Sequence, residues 1–89
     1  MNNYILRFSE QAKDDIKEHK KSGNNVLVTK ISLLLKEVAE HPFIGTGKPE
    51  LLKHRLTGCW SRRINREHRL IYEVSDSLII ILSAKGHYK

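Results

Sequence analysis

Two rhythms of apolar and polar positions divide this 89-residue chain. Tyr4-Ile5-Leu6-Arg7-Phe8 is short, apolar and β-prone, and predicts a first strand. Ser9 suits a helix N-cap, and Glu10, Asp14 and Asp15 place negative charge toward the start of the helix. A first helix is therefore expected from Ser9 to about Lys21, with a thin apolar stripe of Ala12 and Ile16. Lys20 and Lys21 favour its C-terminal end, and Gly23 can stop it. Asn24 or Asn25 can cap a second helix. Its apolar residues Leu27, Ile31, Leu34, Leu35 and Val38 fall on one helical face. That helix should end near His41, because Pro42 disfavours helical backbone in the residue before it.

Beyond a Gly- and Pro-punctuated loop from Phe43 to Pro49, the period becomes two. Strands are expected at Leu52–Leu56, Cys59–Asn65, Arg69–Val74 and Leu78–Leu82, with turns at Thr57-Gly58, Asn65–His68 and Ser75–Ser77. In the second of these, Trp60, Arg62 and Ile64 share one side, and Ser61 and Arg63 the other. In the third, Leu70, Tyr72 and Val74 oppose Arg69, Ile71 and Glu73. The uninterrupted apolar run of the last suits a strand covered on both faces. The expected fold class is α+β, in the order β-α-α-β-β-β with a further closing strand. Its two N-terminal helices pack on one face of a mainly antiparallel twisted sheet. Residues 1–89 are expected to form a single domain.

Charge changes the picture more than composition does. The net charge is +6, and it is uneven. Residues 1–40 hold seven Lys/Arg against six Asp/Glu, and residues 41–89 hold nine against four, so the net charges are +1 and +5. Four of the five histidines also lie in the second half. Clustered cations attract polyanions and release counterions on binding, which points to nucleic acid. The one cysteine, Cys59, excludes an intramolecular disulfide and a cysteine-based metal cluster. No apolar run reaches the 18–20 or so residues of a membrane helix, and the N-terminus lacks the pattern of a signal peptide. The expected location is the cytoplasm.

No Gly-x-Ser-x-Gly, Walker-type or zinc-ligand spacing occurs. The polar residues of the β half remain as candidates. Cleaving RNA without a metal needs a base for the 2′-hydroxyl, an acid for the leaving 5′-oxygen, and fixed cations for the charge on the phosphoryl oxygens. Glu50, just after Pro49 and before a strand, offers a carboxylate base held at the rim of the sheet. His87 can donate or accept a proton near neutrality. Arg69 can grip phosphate oxygens at two points. Trp60 offers either core packing or a platform for base stacking. Taken alone, composition and spacing stop at a basic α+β domain that binds RNA.

The segment GKPELLKHRLTGCWSRRINREHRLIYEV, followed by SAKGHYK at the end, resembles the YoeB/Txe toxins of the RelE/ParE superfamily. The pieces GKPE, LKH, WSRRI, EHRLIY and terminal HY stand in the family's order and spacing. The resemblance implies a toxin of a type II toxin–antitoxin system that cuts mRNA in the ribosomal A site. The reaction would be transesterification by the 2′-hydroxyl, with neither metal nor cofactor. It implies Glu50 as general base, His87 as general acid, Arg69 as the cation that stabilises the phosphate, and Tyr88 as an aid to positioning. It implies that Lys48, Lys53, His54, Arg55, Trp60, Arg62 and Arg63 contact mRNA or ribosomal RNA. The implied partners are the 70S ribosome, mRNA and an acidic, partly disordered YefM/Axe-like antitoxin that folds on binding. A homodimer stays open, and no membrane partner is expected. Three features depart from the family pattern: Gly86 replaces an aromatic before the terminal HY, Cys59 replaces one before the tryptophan, and Lys89 extends past the tyrosine. Two other readings remain: a non-catalytic nucleic-acid-binding regulator, and a ParE-like gyrase inhibitor.

Overall fold

The helices start where side chains can replace missing backbone partners. In the computed structural model, which describes residues 4–53 and 58–86, Ser9 Oγ accepts from Ala12 N (3.0 Å) and Asn24 Oδ1 from Leu27 N (3.1 Å). These caps open α1 (Glu10–Lys21) and α2 (Asn25–Glu40). The strands are β1 (Ile5–Phe8), β2 (Glu50–Leu51), β3 (Cys59–Arg63), β4 (Arg69–Ser75) and β5 (Leu78–Ser83). Their order across the sheet is β1-β5-β4-β3-β2. β1 pairs parallel to β5, and the other pairs are antiparallel. The fold is thus α+β, with both helices against a mixed, mainly antiparallel sheet of five strands.

The last strand lies in the middle of the sheet, between β1 and β4. This explains its apolar run, with one refinement. Ile79 and Ile81 are fully buried against the helices, whereas Leu78 and Ile80 are half-buried. The expectation of cover on both faces therefore holds for the helix side only. Ala12, Leu27, Ile31, Leu34 and Val38 of the helices meet Leu70, Tyr72, Ile79 and Ile81 of the sheet in one core cluster. Burying each large aliphatic side chain contributes about 1.5–3 kcal/mol.

Two expected boundaries move. The strand expected at Leu52–Leu56 begins earlier, as the two-residue β2, and Leu52 and Lys53 lie outside it. Residues 54–56 of that expectation are outside the described residues. Pairing is set from the loop, where Arg63 N donates to Gly47 O (2.8 Å), and it fades after Leu52 N donates to Cys59 O (2.8 Å). β3 stops at Arg63, because Asn65 Oδ1 accepts from both Glu67 N and His68 N at 2.8 Å and closes a turn. Among the described residues, no helix is long and apolar enough to cross a membrane.

Candidate active site

Side chains on a strand alternate between faces, so register fixes what shares a face. Glu50 pairs with Ser61 and Arg63 with Arg69, while Ser61 pairs with Ile71, two residues along from Arg69. Glu50, Ser61, Arg63 and Arg69 therefore project from the face opposite the helices. Arg69 Nη1 donates to Ser61 Oγ (3.3 Å) and lies 3.8 Å from Glu50 Oε1. The Arg69 side chain is 23% exposed and that of Glu50 67%, so the pair sits at the rim of the sheet and open to solvent. A cleft of about 390 Å³ is lined by both, together with Lys30, Gly47, Lys48 and Arg63. One carboxylate thus faces four cations, three of them expected from the sequence. Lys30, from α2, is the addition.

Gly47 is required where it stands. Its φ is +86°, and an added Cβ would lie 2.6 Å from the carbonyl oxygen of Arg63. The close approach of loop and strand is what delivers Lys48 and Glu50 to the cleft.

The opposite face holds a second polar cluster, and here one expectation is corrected. Arg62, expected to contact RNA, is fully buried. Its Nε donates to Tyr72 Oη (3.1 Å), Nη1 to Glu37 Oε1 (2.5 Å) and Thr46 O (3.2 Å), and Nη2 to Ile44 O (2.7 Å) and His41 O. All five guanidinium hydrogens are thereby committed to the protein itself. Tyr72 Oη donates in turn to Pro42 O (2.5 Å), and Glu37 accepts from Thr46 N (2.6 Å) and Thr46 Oγ1 (3.1 Å). This hub fixes the 41–46 loop that leads into the cleft. Burial acts to raise the pKa of Glu37, but hydrogen bonds from Thr46 and Arg62 outweigh it and hold the carboxyl below its ordinary value. Burial pushes the Tyr72 phenol up, against the pull of Arg62. Trp60, also expected on RNA, faces the helix side, packing against the core with its ring 5.0 Å from that of Phe43.

Lys53 is exposed just after β2, apart from the cleft-lining residues. His54, Arg55, His87 and Tyr88 lie outside the described residues. Cys59 is buried with its thiol pKa raised, first by burial and then by Glu73. The sequence reading took Asp15 only as charge toward the helix start and missed His19; both are buried on α1, where Asp15 Oδ2 accepts from Ala84 N (2.9 Å) and His19 Nε2 meets Ala84 O (2.9 Å). Their signal was present: both share the helical face of Ala12 and Ile16. A larger groove, about 600 Å³, runs along α2, where Val26, Leu33 and Leu34 mix with Lys30, Lys36, Glu37 and Glu40; it includes no arginine and no residue of the sheet.

The family model of YoeB-like toxins of bacterial type II toxin–antitoxin systems matches residues 8–88. The chain belongs to this family. It is 45% identical over 83 residues to Toxin YoeB of Escherichia coli, covering 93% of this chain and 98% of that protein. Among solved structures, the YoeB/ParE toxin from Agrobacterium tumefaciens superposes with a TM-score of 0.89 at 36% identity, covering 94% of this chain and 99% of that one. Staphylococcus aureus YoeB matches as a dimer (TM-score 0.85, 46% identity, 97% and 99% covered). It also matches in a heterotetrameric complex with YefM (TM-score 0.83, 46% identity, 96% and 98% covered). The chain is thus a type II toxin by family, and the YoeB-like motifs GKPE and EHRLIY supply both walls of its cleft.

Proposed function

We propose that this toxin is a ribosome-dependent mRNA endonuclease that cuts in the A site by metal-independent transesterification. The observation that carries the reading is the convergence of Glu50 and Arg69, distant in sequence, in a cleft ringed by Lys30, Lys48 and Arg63. Glu50 removes the proton from the 2′-hydroxyl. The resulting alkoxide attacks the adjacent phosphorus, and the bond to the 5′-oxygen breaks, leaving a 2′,3′-cyclic phosphate. Arg69 takes up the charge that builds on the phosphoryl oxygens, the kind of fixed donor worth on the order of 10²–10³ in rate. His87 protonates the leaving oxygen, and Tyr88 helps to position it. Lys48, Lys53 and Arg63, with His54 and Arg55, hold the RNA backbone. Arg62 and Trp60 support the cleft from behind.

The cytoplasm is the place of action. A YefM/Axe-like antitoxin is the inhibitory partner, in keeping with the YefM-bound assembly of the S. aureus relative, and a homodimer is a further assembly. The test is cleavage of a defined mRNA by purified protein, with and without programmed 70S ribosomes, beside the Glu50→Ala/His87→Ala double variant. Strong cutting only with ribosomes and only by wild type is expected, with at most weak residual cutting of free RNA. Equal cutting by the variant, or none by wild type, overturns the reading and directs attention to gyrase. Chelation in a ribosome-free assay should leave residual cutting intact; activity restored by Mg²⁺ or Zn²⁺ alone contradicts the metal-independent step.

A further inference from the structure

The stretch Ala84–Gly86, immediately before His87, is held at every residue. Ala84 is fully buried, its N donating to Asp15 Oδ2 (2.9 Å) and its O accepting from His19 Nε2 (2.9 Å). Lys85 pairs with Glu18. Gly86 is gripped on both sides of its backbone: its N donates to His68 Nδ1 (3.0 Å), and its O accepts from Arg69 N (3.0 Å). His68 is itself fixed, through its N to Asn65 Oδ1 (2.8 Å) and through its ring against that of His19, centroids 4.7 Å apart. Gly86 has a φ of +79°, a backbone state that a residue with a side chain adopts only under strain.

We infer that His68 is a positioning residue, its Nδ1 holding the Gly86 amide and so fixing the backbone from which the chain continues to His87. This rests on the reading of His87 as the general acid. Accepting through Nδ1 places the ring proton of neutral His68 on Nε2. The glycine that departs from the family's aromatic pattern has a purpose here: its left-handed backbone meets two consecutive residues, 68 and 69, with both of its polar groups. The same two residues thus anchor the segment leading to the acid and carry the phosphate cation, so Gly86 is braced by the strand end that bears Arg69.

Full-length His68→Ala and His68→Asn variants test this, because the Asn Oδ1 keeps an acceptor where the His Nδ1 stands. Single-turnover cleavage on programmed ribosomes should fall about 10²-fold in His68→Ala, the scale of a misplacement near 1 Å, with KM little changed. The Gly86 amide should lose hydrogen-exchange protection while the Ala84 amide, held by Asp15, keeps it. His68→Asn should restore both. Wild-type cleavage by His68→Ala, unchanged Gly86 protection, joint loss at Ala84 and Gly86, or a His68→Asn variant as impaired as His68→Ala each overturns the inference. A His87→Ala variant that cuts like wild type instead sinks the acid assignment, and the Gly86 exchange comparison still decides whether His68 sets this backbone.

Discussion

Arg62 and Arg69 project from neighbouring strands of one sheet, to opposite faces, and have opposite fates. Arg62 is enclosed, with every N–H committed to Tyr72, Glu37 and three loop carbonyls. Arg69 is held through Nη1, by Ser61 and at longer range by Glu50, and lines an open cleft. The chemistry is the same in both, but the number of acceptors differs. A guanidinium saturated by its own protein is a strut, whereas one anchored by one nitrogen can still turn its fork toward phosphate. The sheet thus separates support from chemistry: the helix side fixes the loop, and the other side presents what the loop delivers.

The contrast is broken most severely at Arg62. Arg62→Ala leaves Glu37 and several carbonyls without their partner, and should cost about 3–5 kcal/mol of stability, read from urea denaturation. Tyr72→Phe removes one acceptor and one donor from the same hub. It should cost about 1–3 kcal/mol, because Arg62 Nε and Pro42 O are left unsatisfied. Glu37 brings a pH signature. Its carboxyl is held below the ordinary 4.5, so its contribution is fully present above pH 4.5 and is lost as pH falls through the lower folded value. The denaturation midpoint should therefore drop on acidification below pH 4.5, and Glu37→Gln should flatten that decline. The smallest effect belongs to Arg63, next in sequence to Arg62 but exposed on the cleft. Arg63→Ala should change stability by no more than about 0.5 kcal/mol while weakening RNA binding.

How much of this the sequence shows depends on the distance over which each feature is decided. Local rhythm located both helices, the Ser9 cap, the second cap to within Asn24 or Asn25, and the hairpin strands, because periodicity and caps are decided within a few residues. The start of β2 was misplaced because Gly47 and Arg63 set it across the sheet. The parallel β1–β5 pairing likewise joins the two ends of the chain. At the site, Glu50, Lys48, Arg63 and Arg69 were legible through the motif pieces that carry them. Arg62 was not, although alternation had already put it on the side of Trp60 and Ile64. Its charge argued for solvent, and the carbonyls that draw it inside leave no mark on residue type. Asp15 was read only as helix-start charge and His19 was passed over for the same reason: a stripe read only for apolar residues overlooks polar ones satisfied by a distant backbone.

The central claim, that the open face does the chemistry with Arg69 as its phosphate clamp, is tested most directly by Arg69→Ala. Single-turnover cleavage of ribosome-bound mRNA and RNA affinity should be measured on the same preparation. The account predicts a rate loss on the order of 10²–10³ with a much smaller loss of affinity. Equal losses in rate and binding would show that Arg69 only holds the RNA, and would contradict it.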